Sequence, residues 1–236
     1  MLENDMAMFK LQLKIALKEK MVFFYTLIIP IIMVFINKGP SFRDNEVLYL
    51  YWAYIVVTTI LNGFLMNVIQ LRENGFLKTL SYLAGSRFSV VMSSFLVQLL
   101  IIQVEILLFN LVVTIFITPV SPWTFLYSFL VSFLAVFLCA AMLSGLLILK
   151  VKQNTFTVII NLFLLIGIFL LGIRPQRTWN YFLTVFNPFQ LIYGLYNVPY
   201  TTVAFGIFEG TCTFVYLVMG FFIFDKISIK SQLSRV

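Results

Sequence analysis

The chain has no histidine and only two cysteines in 236 residues, and each scarcity removes a class of chemistry. Without histidine there is no imidazole base and the commonest metal ligand is missing. That excludes His-dependent intramembrane proteases and acyltransferases. Asp5, Asp44 and Asp225 all fall outside or at the edge of the apolar runs, so a membrane-buried aspartyl pair is also absent. Cys139 and Cys212 lie inside apolar runs, where cysteine packs as a small apolar residue, and no disulfide or metal site is indicated. No Gly-x-x-x-x-Gly-Lys-[Ser/Thr] phosphate loop occurs, so any ATP hydrolysis must come from another subunit. Charge is scarce as well, at 11% of residues against about 25% in a soluble domain.

What is present is apolar: 61% of the residues are hydrophobic, with 27 Phe and nine Met. Runs of about 20 such residues are long enough to cross a hydrocarbon core roughly 30 Å thick. Six are expected, at 21–37, 47–70, 90–118, 123–149, 156–173 and 203–224. Lipid offers the backbone no hydrogen-bond partner, so a span is a helix or part of a closed barrel, and unbroken runs without period-2 alternation select helices. The fold expected is an all-α polytopic membrane protein, with residues 1–20 as an amphipathic N-terminal helix and 21–236 as one six-span domain.

Basic residues near span ends stay in the cytoplasm. One set of connecting segments holds twelve of the 16 Lys and Arg, from Lys10, Lys14, Lys18 and Lys20 through Arg72, Lys78 and Arg87, then Lys150 and Lys152, to Lys226, Lys230 and Arg235. The alternate set holds only Lys38, Arg43, Arg174 and Arg177. Both termini are therefore expected in the cytoplasm of a plasma-membrane protein. The net charge of +7 is absorbed by topology and does not argue for nucleic acid. Residues 1–20 are too long and too charged for the start of a signal peptide, and no small-x-small cleavage site follows, so the segment is expected to remain. Helical spacing puts Phe9, Leu13, Ala16 and Leu17 on one side of it and Lys10, Lys14 and Lys18 on the next.

Polar residues inside the spans are candidates for a pathway or a subunit interface, because a charge at the bilayer centre costs about 2.5–3.5 kcal/mol on insertion scales. Glu105 lies mid-way along the third run, on a face with Gln98, while Gln103, Asn110 and Thr114 form a second stripe. Thr59, Asn62, Gly63, Met66 and Gln70 share an arc of the second run, which also carries Asn67. The competing role for all of these is interhelical hydrogen bonding alone. Small residues at Ser128, Ser132, Ala135 and Cys139, and the GxxxG spacing of Gly206 to Gly210, predict close helix contacts. Glu209 lies within that GxxxG, level with Arg174 and Arg177. Between the last two runs, Pro175, Pro188 and Pro199 interrupt an aromatic-rich segment, which predicts short interfacial or re-entrant helices.

The segment LRENGFLKTLSYLAGSRFS, residues 71–89, is polar and basic. Leu77, Leu80 and Ala84 are spaced for one helix face and Gly85 is a natural stop. A short amphipathic helix here resembles the coupling element of the type-2 ATP-binding-cassette permeases, which carry a basic-acidic-x-Gly motif at this place. The match reads Arg72-Glu73-Asn74-Gly75. An N-terminal elbow helix, six spans, KVKQNTFTVIINLFLL and FNPFQLIYGL, with Asn187, Pro188 and Phe189, follow in the family's order. Members often place a Lys just beyond the coupling helix, where this chain has Ser93 and Ser94.

The resemblance implies the transmembrane subunit of an exporter, pairing with a second permease subunit, identical or related, and with two ATPase subunits that bind ATP and Mg. Arg72, Glu73, Gly75, Leu77, Lys78 and Leu80 would couple to them, with Leu77 and Leu80 seated in an ATPase cleft. Asn62, Asn67, Gln98, Glu105 and Glu209 would line the pathway or the subunit interface. A hydrophobic or amphipathic substrate such as a peptide, drug or lipid suits the Phe- and Met-rich lining. A secondary transporter or channel using Glu105 as a proton or cation site, or a non-transporting scaffold or immunity protein, remains the alternative.

Overall fold

Every element is a helix in the computed structural model, which describes residues 2–18, 20–36, 46–149, 151–172 and 177–225, and no strand occurs among them. In order they are α1 (Leu2–Lys18), α2 (Lys20–Ile36), α3 (Glu46–Thr59), a π segment (Ile60–Leu65), α4 (Met66–Glu73), α5 (Phe76–Ala84) and α6 (Arg87–Phe116). There follow α7 (Pro122–Leu143), α8 (Gly145–Ile148), α9 (Gln153–Gly172), α10 (Arg177–Phe186), α11 (Pro188–Asn197), a 3₁₀ turn (Val198–Tyr200) and α12 (Val203–Asp225). Lys38, Arg43, Lys150, Arg174, Lys226, Lys230 and Arg235, which carry part of the expected charge asymmetry, lie outside the described residues.

Among the described residues, four helices are long and apolar enough to span a membrane: Val47–Glu73, Arg87–Phe116, Pro122–Ile148 and Val203–Phe224. The other two expected spans are less regular. Helices α1 and α2 form one pair bent by 56°, and Gln153–Phe169 is a shorter apolar helix. Several long apolar helices in one chain make this a multi-pass, membrane-embedded protein.

Local chemistry sets the helix ends. The Ser86 hydroxyl accepts the Ser89 N–H at 3.0 Å to start α6, and Ser121 accepts the Thr124 N–H at 3.2 Å, with Pro122 as the first residue of α7. Helix α5 sits between two glycines in the left-handed region, Gly75 at φ 74° and Gly85 at φ 81°, a conformation that costs other residues a Cβ clash. These two residues turn the chain sharply at both ends of a nine-residue helix.

The second span is the centre of the bundle. Its most apolar stretch is 89% buried, against 11% for α12 at the periphery. Trp52, Ile55, Ile60, Leu61, Phe64, Leu65 and Ile69 on this span are fully enclosed by α2, α6, α7 and α11. The small stripe of α7 does what its spacing predicts. Ser128, Ser132, Ala135 and Cys139 are all buried, Ser128 accepts the Asn110 amide at 2.9 Å, and Ser132 takes the Tyr196 hydroxyl at 3.1 Å.

The GxxxG spacing does not. A Cβ at Gly210 would meet nothing within 4 Å, and one at Gly206 only Val198 at 4.0 Å. Close approach occurs instead at Gly220, whose missing Cβ would lie 2.7 Å from the Ala141 Cα, so α12 packs on α7 through its far end. Helix α1 also turns a different face to the bundle. Met8 and Gln12 are buried, whereas Leu17 is 65% exposed and Lys10, Lys14 and Lys18 face outward. The Gln12 carbonyl oxygen takes the Asn67 amide at 3.1 Å, which explains why a polar position leads that face.

Candidate functional site

The turn from α4 to α5 is braced from within. Arg72 is 2% exposed; its Nε donates to the Glu73 carboxylate at 3.1 Å, and its Nη atoms donate to the carbonyls of Leu147 at 3.1 Å and of Leu149 and Val151 at 3.4 Å. Glu73 is also buried. An exposed pair would contribute below about 1 kcal/mol, whereas a buried guanidinium filling carbonyl sites is a structural brace. It ties the first connection, before α5, to the second, between α7 and α9.

Helix α5 then shows two faces. Leu77 is 1% exposed and packs inward with Ala84; α5 lies on α4, α6 and α1. Leu77 therefore cannot seat in a cleft of another subunit, and Leu80 is half-buried against the same core. The outward face is Phe76, Lys78, Thr79, Tyr82 and Leu83, continued by Phe88. Tyr82 and Leu83 are 77% and 67% exposed.

Within the bundle, Glu105 is fully buried and accepts hydrogen bonds from Thr26 of α2 and from Thr59 at 2.7 Å. One carboxylate thus joins α2, α3 and α6. It lines one cavity, and its partner Thr26 lines a second. The first, of about 580 Å³, is lined by Thr59, Gly63, Gln98 and Glu105, with Leu13 and Leu17 of α1 at its edge. The second, of about 680 Å³ between α2, α3–α4 and α9, is lined by Thr26, Tyr54, Thr58, Asn62, Gln70 and Asn161. Gln98 packs where a Gly63 side chain would stand. Asn67 lies apart from both cavities, donating to Gln12 and, at 2.9 Å, to Ser94. On the second stripe of α6, Asn110 takes the Trp52 indole N–H at 2.8 Å, while both polar atoms of Gln103 are buried without a partner among the described residues.

The interrupted segment before α12 forms two helices. Asn187 caps α11, its Oδ1 accepting the Phe189 N–H at 3.1 Å while its Nδ2 donates to the Gly167 carbonyl of α9 at 3.2 Å. Pro188 fits as the first residue of α11. A Cβ at Gly167 would come within 2.7 Å of the Phe189 ring, so α9 and α11 touch through a glycine. Glu209 packs on Gly194 of α11, its carboxylate 2.9 Å from where a Gly194 Cβ would be. It is fully buried and its two oxygens have no hydrogen-bond partner among the described residues. The side chains of Arg174 and Arg177, expected at the same level, lie outside the described residues.

The π segment is the feature that spacing alone missed. A single turn of i→i+5 bonding often marks a functional position in a helix, and here it holds Asn62 and Gly63, which face different cavities. Glycine in the middle of an apolar run was the available signal. No protein-family model, curated protein or solved structure matches the chain, so its function rests on geometry and sequence pattern.

Proposed function

We propose that the chain is the permease subunit of an ATP-driven exporter of the type-2 ATP-binding-cassette kind, working as a pair of six-span subunits with two separate ATPase subunits. The observation that carries this reading is the α5 helix. It is short, fixed at each end by a left-handed glycine, braced below by the buried Arg72, and turns Phe76, Tyr82 and Leu83 away from its own chain. An aromatic and apolar patch on a rigid turn suits a socket on a partner. Arg72, Glu73 and Gly75 hold the helix in place, Leu77 and Leu80 anchor it, and Lys78 stands beside the outward patch.

Both termini and α5 are placed in the cytoplasm, from the charge asymmetry. Closure of the ATPase pair would push α5, and Arg72 would pass that movement to the connection leading into α9. Helix α9 lines the polar cavity shared with α2 and α3–α4, which we assign to the substrate path. Asn62 faces that cavity, and Thr26, which also lines it, donates to Glu105 behind the wall. The substrate is hydrophobic or amphipathic.

The test is co-purification with an ATPase subunit and substrate-stimulated ATP hydrolysis. Leu83→Asp places a charge in an apolar socket, so cassette binding should weaken by about 1–3 kcal/mol, roughly 5- to 150-fold, at unchanged permease levels. Full binding and full stimulation by Leu83→Asp would discard the coupling role. Transport that persists with no ATPase present would bring forward a secondary transporter using Glu105.

A further inference from the structure

Helix α1 lies along α6, and the two meet the start of α2 around the cavity of about 580 Å³. Leu13, Ala16 and Leu17 line it from α1, and Leu100, Ile101 and Val104 from α6. Thr59, Gln98 and Glu105 also border it, but each is buried, and the Glu105 carboxylate is engaged by the hydroxyls of Thr26 and Thr59. The surface left to an occupant is hydrocarbon. At the rim, Leu17, Phe24 and Val104 are each half or more exposed. In a membrane-embedded bundle an exposed apolar rim between helices faces lipid chains, so the cavity opens toward the bilayer.

The register of α1 places charge beside that opening. At about 100° per residue, Lys10, Lys14 and Lys18 lie roughly 60–140° round the helix from Leu13, next beyond Leu17 at about 40°. All three lysines are exposed, and at about 1.5 Å per residue their row is about 12 Å long. One helix thus carries two neighbouring stripes, an apolar one against the cavity and a cationic one along its rim.

A hydrocarbon cavity does not by itself choose a lipid, because an acyl chain is equally well solvated by other chains. The lysines supply the choice. A soluble anion would meet the cationic stripe and leave the cavity unused, a cationic amphiphile would be repelled at the rim, and a zwitterionic headgroup brings its own ammonium against the lysines. We infer that α1 and α6 hold one anionic phospholipid, with an acyl chain in the cavity and its phosphate on the row of Lys10, Lys14 and Lys18. The site is separate from the polar cavity assigned to the substrate path and stands independently of ATP-driven transport.

The test uses the purified, delipidated full chain in detergent, titrated with dioleoylphosphatidylglycerol and with dioleoylphosphatidylcholine, which share their chains and differ in headgroup charge. Native mass spectrometry counts the bound lipids. The first phosphatidylglycerol should saturate at a concentration at least about fivefold lower than the first phosphatidylcholine, the preference that one well-placed lysine provides. Lys14→Gln should weaken phosphatidylglycerol about threefold or more and leave phosphatidylcholine unchanged. Lys152→Gln removes the same charge from an exposed position away from α1 and should change neither. Val104→Trp and Leu17→Trp put bulk into the cavity mouth from two different helices, and both should weaken the two lipids alike. Equal affinity for the two lipids overturns the inference. So does a loss in Lys152→Gln as large as that in Lys14→Gln, or full lipid binding in both tryptophan variants.

Discussion

Glu105 and Glu209 are two carboxylates in the same condition by burial, both wholly enclosed within apolar helices, and in opposite conditions by partnership. Glu105 sits on the inward face of α6, against α2 and α3, and it receives the hydroxyls of Thr26 and Thr59. Glu209 sits on the peripheral α12, against a glycine, and receives nothing among the described residues. Burial alone does not set the cost of a charge; the donors within reach do. Glu73 offers a third case, buried and paired with Arg72.

The sharpest way to probe that difference is to take away the guanidinium with which Glu73 is paired. Arg72→Leu removes the guanidinium from a buried ion pair and from three carbonyls, and should cost about 3–5 kcal/mol, read as a lowered thermal midpoint in detergent. Adding Glu73→Leu should restore much of it; a single variant as stable as the parent would remove the brace from the account. Next, the same apolar replacement should act with opposite signs at the two helix positions. Glu209→Leu removes a buried carboxyl that has no partner among the described residues and should stabilise by about 1–3 kcal/mol, while Glu105→Leu takes away the shared acceptor of Thr26 and Thr59 and should destabilise by about 1–3 kcal/mol. Shifts of equal sign would show that the two sites are alike after all. The smallest effect belongs to Gly206→Ala on α12. With open space at the Cβ position, the substitution should stabilise the helix by about 0.5–1 kcal/mol, and a measurable loss would mean that this glycine is packed against a second subunit.

The long apolar runs were legible because lipid demands continuous hydrophobicity and helical backbone pairing, and both are local properties. The bounds of α5 were legible for a similar reason. Gly75 and Gly85 are needed wherever the chain must turn through the left-handed region. The cap at Asn187-Pro188 is equally local.

Which face of a helix looks inward is decided by neighbours far along the chain, and there the pattern misled. Leu77 and Leu80 have an apolar spacing that suits an inner or an outer socket, and only packing on α6 chooses between them. GIFEG has the spacing of a glycine contact, yet it meets α10 and α11 through Phe208 and Glu209 and not through its glycines. The π segment ILNGFL carries no periodic signature beyond Gly63, and the depth of Glu105 gave no hint that Thr26 and Thr59 would be its donors. Arg72 was legible as part of a charged turn, but its carbonyl partners lie 75 to 79 residues further along.

That separation sets an order on how the molecule can be made. Arg72 leaves the ribosome before the carbonyls it will occupy exist, and at a synthesis rate of about 5–20 residues per second it waits roughly 4–16 s for them. Throughout that interval α6 and α7 must enter the bilayer and turn back, so the guanidinium can close its contacts only after both have been placed correctly. A misinserted pair leaves the Arg72 site open. The brace thus records, in one side chain, that the chain up to the end of α8 has been assembled in register.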